Sequence, residues 1–213
     1  DHGRDVHLIE AVLAQVATRS SPIEQLVVSG RGNHQPALGS RSLFLLANDM
    51  ILNRLSLSDH CDGTRREDRL DVVALSRALG STKVLKKLRL MMSRATTSDE
   101  VELIIQSVNE CESLSHFEFI CRDGGSAYRQ LTLALPHLDV KCLGLPTAGA
   151  DESFSSVEGV TRFVNAVMQN PRIERLEMGY FSPTCSNMRI RELVRQVNIH
   201  CHLNKVRRHV QLA

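Results

Sequence analysis

The sequence predicts an α/β fold in which about seven helix–strand units follow one another as a solenoid. Three observations predict it. An apolar-x-x-apolar-x-apolar motif recurs at intervals near thirty residues, a helical pattern of apolar residues is expected before each copy of the motif, and polar residues alternate with apolar ones at the end of each copy. A chain of 213 residues is long enough for one such array. We therefore expect a single domain over residues 1–213, which can be part of a longer chain.

Strands are predicted at the copies of the motif, because strict alternation places the last two apolar residues on one side of a strand. Successive central apolar residues are 29, 33, 29, 26, 33 and 30 positions apart. The seventh copy is weaker, since Arg207 and Arg208 stand where its last apolar residue would be. The seven segments are Ile23–Val28, Leu52–Leu57, Leu85–Leu90, Leu114–Phe119, Val140–Leu145, Ile173–Met178 and Leu203–Val206.

Helices are predicted where apolar residues recur every three or four positions. Such spacing occurs within 6–16, 72–79, 101–108, 160–167 and 190–197. Ser98-Asp99-Glu100 and Ser155-Ser156-Val157-Glu158 supply capping side chains and first-turn acids for two of these helices. Asn170-Pro171 is expected to end the fourth helix before the sixth strand.

The polar residues within the strands distinguish this arrangement from a doubly wound sheet. Sheets covered by helices on both faces have strands that are almost continuously apolar. Here Lys87 and Arg89 flank Leu88, and Arg175 and Glu177 flank Leu176. One face of the sheet is therefore expected to meet helices and the other to meet water, as in a horseshoe with a parallel concave sheet and outer helices.

The spacing, the strand motif and the preceding helices resemble the ribonuclease-inhibitor-like leucine-rich-repeat family over nearly the whole chain. That family has Asn or Cys three residues after the last strand leucine. The resemblance implies a protein-binding solenoid, but the asparagine ladder is missing, so we expect loops that differ between units and satisfy their backbone groups locally. The corresponding positions here are Arg31, His60, Ser93, Arg122, Ala148 and Phe181.

Composition is that of an ordinary globular protein, with 42% hydrophobic residues and 26 basic against 24 acidic side chains. The near balance argues against a dedicated binder of nucleic-acid phosphates. Six scattered cysteines without a CxxC pair predict reduced thiols and an intracellular, cytoplasmic protein. No apolar run approaches the ~20 residues of a membrane span, so no membrane association is expected.

Candidate chemistry is sparse. Cys142 and His116 would be neighbours on adjacent strands and could form a thiolate–imidazole pair, although no third orienting group is evident. His200-Cys201-His202, expected in a loop near the last strand, lacks the spacing of known zinc sites. We therefore predict no enzymatic activity, no metal and no cofactor.

The alternate strand residues predict a binding surface. In a parallel, in-register sheet they form rows on the concave face, with six basic residues against two acidic ones. Such a surface would steer an acidic protein partner toward it. Tyr180, in the loop after the sixth strand, would add an aromatic anchor beside Arg175. The predicted partner-binding residues are Arg54, Lys87, Arg89, His116, Glu118, Arg175, Glu177, Tyr180, Lys205 and Arg207.

The function predicted from these features is a protein-interaction scaffold that uses its concave face and the adjacent loop rim. Two alternatives stay open. One is a regulatory or substrate-recognition domain of a larger enzyme or ligase assembly. The other is nucleic-acid binding, against which the rows contain no aromatic side chain for stacking bases. The sequence gives no oligomeric state.

Overall fold

A computed structural model describes residues 25–28, 52–58, 70–92, 96–121, 125–145, 156–178 and 188–211. Strands and helices alternate along most of this length. In chain order the elements are β1 (Gln25–Val28), β2 (Arg54–Ser58), α1 (Val72–Ser81), β3 (Lys87–Met92), α2 (Ser98–Glu110), β4 (His116–Cys121), α3 (Gly125–Ala134), a 3-10 helix (Leu135–His137), β5 (Cys142–Gly144), α4 (Val157–Met168), β6 (Arg175–Glu177) and α5 (Met188–Gln211).

The six described strands form one parallel sheet in the order β1-β2-β3-β4-β5-β6. The α/β class and the parallel sheet are thus confirmed. The register matches the central apolar residues of the motif: Leu55 pairs with Leu88, Leu88 with Phe117, and Phe117 with Leu143. Since neighbouring strands follow one another in sequence, the sheet has no point at which strand order reverses, unlike a doubly wound sheet.

Helices α1, α2 and α4 begin at capping residues of the kind that the sequence indicates. Asp71 accepts a hydrogen bond from the Ala74 N–H at 2.9 Å and so starts α1. Thr97 and Glu100 form a reciprocal capping box at α2, one residue before the predicted Ser98. Ser156 caps α4. These caps satisfy N–H groups that have no partner within their own helix.

The core lies between the apolar face of the sheet and the helices. Leu88, Leu90 and Phe117 are inaccessible to solvent and belong to one cluster with the apolar faces of α1 to α5. Helix α3, which was not predicted separately, contributes Tyr128, whose ring packs edge-on against Phe119 at a centroid distance of 6.0 Å. The buried Tyr128 hydroxyl is satisfied by a 3.2 Å hydrogen bond from the Cys121 N–H.

Two buried asparagines join neighbouring units. Asn170 Nδ2 donates to the carbonyls of Leu135 and Leu138 at 2.6 and 2.8 Å. Asn204 Nδ2 in turn donates to the carbonyls of Asn170 and Ile173, both at 3.1 Å. Buried amides thus satisfy the backbone between units near the ends of helices. The six positions at which that leucine-rich-repeat family has its asparagine ladder all lie outside the described residues.

The predicted seventh strand is wrong, and with it the seven-unit horseshoe. Residues 203–206 lie within α5, a helix of 24 residues that runs from Met188 to Gln211. The apolar-x-x-apolar spacing of Leu203 and Val206 also fits one face of a helix, and no Gly or Pro interrupts the sequence from 188 to 211. In α5 these two side chains are exposed, whereas Val197 and Cys201 are buried.

No helix within the described ranges combines the length and the apolar character needed to cross a membrane. The predicted helix within 6–16 lies outside the described residues. The remaining predicted helices are confirmed as α1, α2, α4 and the first half of α5.

Candidate functional site

The face of the sheet opposite the helices carries two rows of polar side chains, which we call the open face. Its rows follow directly from the strand register, and over β2 to β6 they are the rows that the sequence predicts. The first row is Arg54, Lys87, His116, Cys142 and Arg175, and the second is Ser56, Arg89, Glu118, Gly144 and Glu177.

Two carboxylates organise the charges of the open face. Glu118 is largely buried between two cations, with Oε1 2.5 Å from Lys87 Nζ and Oε2 3.2 Å from Arg89 Nε. Arg175 pairs with Glu177 on its own strand. Among the described residues, Arg54 has no such carboxylate partner and is exposed. The open face therefore keeps a positive excess of two charges, which is smaller than the predicted excess.

The excess is smaller because two predicted members belong to α5. Lys205 lies beside the open face but is contributed by the helix, and Arg207 is placed near His200 on another side of α5. The assignment of both residues to a seventh strand row is therefore wrong. Tyr180 lies outside the described residues. The structure brings the other seven predicted residues together on the open face.

Helix α5 and the open face enclose a cleft of about 390 Å³. The helix is held there by its apolar contacts with α4 and by an ion pair of 2.6 Å between Arg208 Nη1 and Glu174 Oε1. This cleft is lined by His116, Lys141, Cys142, Glu174, Arg175, Leu176, Asn198, Cys201, His202 and Lys205.

Sequence reasoning missed the cleft because it treated the end of α5 as a strand. Asn198, His202 and Lys205 are spaced by four and then three residues, the spacing of one helix face. Read as a helix, the segment would have shown a polar stripe beside the buried residues Val197 and Cys201. Lys141 was also missed, although it directly precedes the fifth strand.

The neighbours Cys142 and His116 are placed as predicted, but their environment does not activate the thiol. Burial raises the pKa of Cys142 to about 11, and Glu177 adds to the effect. Burial and then the Lys87 and Arg175 cations lower the pKa of His116. His116 Nδ1 lies 2.8 Å from Ser115 Oγ. At neutral pH both side chains are therefore uncharged, so a thiolate–imidazolium pair is not favoured.

The segment His200-Cys201-His202 lies in α5 and not in a loop. Successive helix residues point in directions about 100° apart, so these three side chains cannot converge on one ion. Cys201 is buried, whereas His202 lines the cleft. Within the described ranges, no group of three or more His, Cys, Asp or Glu side chains is arranged to hold a metal ion. The four described cysteines, Cys111, Cys121, Cys142 and Cys201, are free.

Comparison with known proteins finds similarity of overall structure only. No protein-family model and no curated protein sequence matches the chain. Among solved structures, leiomodin-1 actin-binding site 2 matches with a TM-score of 0.44 and 10% identity over 93% of this chain and 92% of that chain. The tropomodulin C-terminal domain of Caenorhabditis elegans matches with a TM-score of 0.44 and 10% identity over 95% of this chain and 98% of that chain.

The predicted membership of the ribonuclease-inhibitor-like leucine-rich-repeat family is wrong: no family model matches the chain, and the similar structures named above are a leiomodin and a tropomodulin domain. The strand motif has a more general origin. Any parallel sheet with one face on helices and one in water needs short strands in which apolar and polar residues alternate, each preceded by an amphipathic helix. Such a pattern indicates which residues of a strand are buried, and many unrelated families share it.

Proposed function

We propose that this chain is a protein-binding module that recognises an acidic surface of its partner through the open face. The observation that carries the proposal is the excess of basic side chains on a sheet face that α1 to α4 leave exposed. Arg175 has 67% and Arg89 44% of its side chain accessible, so both can reach a partner. Arginine is a frequent anchor in protein interfaces, because its guanidinium binds a carboxylate through two hydrogen bonds.

The rigidity of the sheet supports the same role. The open-face side chains project from strands whose other face is packed in the core, and Glu118 fixes Lys87 and Arg89. Pre-positioned side chains lose less conformational entropy on binding than mobile ones. The positive excess would also accelerate encounter with an acidic partner at low salt.

We infer a binding role and not a catalytic one for this surface. Cys142, the nucleophile suggested by the sequence, is held as a neutral thiol, and His116 is held as a neutral imidazole. A chain that binds without catalysing could still serve as the recognition domain of a larger enzyme assembly. The free cysteines support an intracellular, cytoplasmic location for the module.

The actin-binding site named for leiomodin-1 is a property of that protein. A TM-score of 0.44 at 10% identity supplies no partner for this chain. The partner is therefore defined here by its chemistry, which is an exposed group of carboxylates on a folded protein.

The test is affinity capture from lysate of the source cells, followed by binding measurements on the recovered protein. We choose Arg54→Glu because Arg54 is exposed, whereas reversing Lys87 or Arg89 would leave Glu118 facing another carboxylate. The matched control is Arg77→Glu, which makes the same charge change at an exposed position of α1.

We expect the wild type and Arg77→Glu to retain one acidic protein that Arg54→Glu loses, with circular dichroism showing that all three proteins fold alike. Equal retention by Arg54→Glu would exclude the open face as the binding surface. Material that is released by nuclease, with affinity falling steeply with salt, would identify the partner as nucleic acid instead.

A further inference from the structure

The cleft between α5 and the open face differs from the rest of the open face in two ways. It is concave, and it contains lysine side chains that are not paired with a described carboxylate. Asn198, His202 and Lys205 of α5 line one wall, and Lys141 and Arg175 belong to the opposite one. Its volume of about 390 Å³ lies within the range of small-molecule sites. The cleft can thus contact a ligand from two sides, whereas the rest of the open face can contact it from one side only.

The carboxylates near the cleft are already neutralised. Glu174, the acidic residue of the lining, accepts an ion pair from Arg208 at 2.6 Å. Arg175 is paired with Glu177. Lys141 and Lys205 have no carboxylate partner in the part of the chain that the structure describes. Two ammonium groups therefore remain available for an anion.

The two cysteines that line the cleft carry no negative charge at neutral pH. Burial raises the pKa of both Cys142 and Cys201 to about 11, so both are neutral at pH 7 and do not repel an anion. The amide of Asn198 and the ring of His202 add hydrogen-bond donors on the same wall as Lys205.

We propose that the cleft binds a phosphate monoester. At neutral pH such a group carries a charge between −1.5 and −2, which matches the two unpaired lysines, and its three terminal oxygens can accept hydrogen bonds from both walls at once. A single carboxylate would carry only one negative charge and would leave one lysine unpaired. This proposal does not depend on the acidic partner of the open face.

A phosphate monoester can come from a phosphorylated side chain of another protein or from a small metabolite. Two probes distinguish these sources: O-phospho-L-serine, and a short peptide that contains phosphoserine between neutral residues. Tighter binding of the peptide indicates a macromolecular source, and equal binding of the two indicates a small ligand. Both results support the proposal, since both require the phosphate to enter the cleft.

The experiment titrates the complete chain with both probes by isothermal calorimetry, with L-glutamate as the carboxylate probe. The test variant is Lys141→Gln/Lys205→Gln. Both side chains are exposed, so their removal should preserve the fold. The matched control is Arg77→Gln/Arg129→Gln, which removes two positive charges from exposed positions of α1 and α3.

We expect saturable binding of phosphoserine by the wild type and by the control. In the test variant the dissociation constant should rise by roughly tenfold or more for each lysine removed, the usual effect of losing a charge-assisted hydrogen bond. The proposal is overturned if neither phosphorylated probe saturates the wild type, if glutamate binds as tightly as phosphoserine, or if the test variant binds like the control. None of these results bears on Arg54→Glu, so the two proposals fail separately.

Discussion

The side chain of Glu118 on β4 lies across Gly144 on β5, so closely that a Cβ atom at position 144 would stand 2.5 Å from Glu118 Cγ. The missing side chain leaves room for Glu118 between Lys87 and Arg89. A glycine that looks like a defect in the strand pattern is therefore part of the charge arrangement of the open face.

Replacing Gly144 by alanine should destabilise the protein by about 1–3 kcal/mol, the usual cost of inserting a methyl group into occupied space. Glu118 would have to move, and its contacts with Lys87 and Arg89 would lengthen. The chain contains no Trp, so urea unfolding is best followed by circular dichroism.

The control is Gly80→Ala. Gly80 lies in α1, and a Cβ there would meet its nearest neighbour, Glu110 Oε2, at 3.9 Å, which is an ordinary contact. Because alanine has a higher helix propensity than glycine, this change should stabilise the protein by roughly 0.5–1 kcal/mol. If the two alanine variants have the same stability, the contact between Glu118 and Gly144 has been misjudged.

Asn170→Ala should be among the most destabilising changes of a polar side chain in the described ranges. It removes two hydrogen bonds to the buried carbonyls of Leu135 and Leu138 and a third from the Arg172 N–H. Unsatisfied buried groups cost about 1–3 kcal/mol each, so we expect a loss of roughly 2–4 kcal/mol in urea unfolding. Asn165→Ala on the exposed side of α4 should stay within about 0.5 kcal/mol of the wild type, and a similar loss in both variants would contradict the prediction.

Much of the sheet could be predicted from the sequence, because each strand has one buried and one exposed face. The alternation around Leu88 and Phe117 gave the register of neighbouring strands correctly, since a shift by one residue would expose both. The rows of the open face follow from that register. The same pattern was misleading at Leu203 and Val206, where a spacing of three residues fits a helix as well as a strand.

The cleft and the charge balance could not be predicted, because they depend on contacts between distant residues. Arg208 lies 34 positions after Glu174, and no local pattern relates the two. Likewise, Glu118 forms ion pairs with Lys87 and Arg89 only because β3 and β4 are adjacent. The positive excess of the open face was overestimated for a different reason, because Lys205 and Arg207 were counted in a strand row and lie in α5.

The thiols of Cys142 and Cys201 should react slowly in the folded protein. With a pKa of about 11 in both cases, ~0.1% of each is thiolate at pH 8, about a hundredfold less than for an ordinary cysteine. The greater nucleophilicity of a high-pKa thiolate offsets part of this, so we expect alkylation by iodoacetamide to be at least about tenfold slower than in urea-unfolded protein. Peptide mapping by mass spectrometry resolves the two sites. Equal rates in the folded and unfolded chains would show that neither thiol is shielded.

Stability should fall as the pH is lowered toward 5.5, in part because of His116. Burial, followed by the Lys87 and Arg175 cations, lowers its pKa below 6.5, with a smaller contribution from Arg54, and Glu177 opposes the effect. The unfolded chain therefore binds a proton at His116 before the folded chain does. The stabilisation is fully present above pH 6.5 and is lost as the pH falls from 6.5 through the lower folded pKa.

The measurement is the free energy of unfolding in urea between pH 5.5 and 8. His200, whose pKa is lowered by burial and then by Arg207, should contribute in the same direction. His116→Gln should reduce the pH dependence, and His116→Gln/His200→Gln should reduce it further. At pH 8, where both imidazoles are neutral in either state, the difference between His116→Gln and the wild type reports the lost packing of the ring and its lost contact with Ser115. If His116→Gln keeps the full pH dependence of the wild type, the pKa of His116 is the same in the folded and the unfolded chain, and neither burial nor the neighbouring cations lower it.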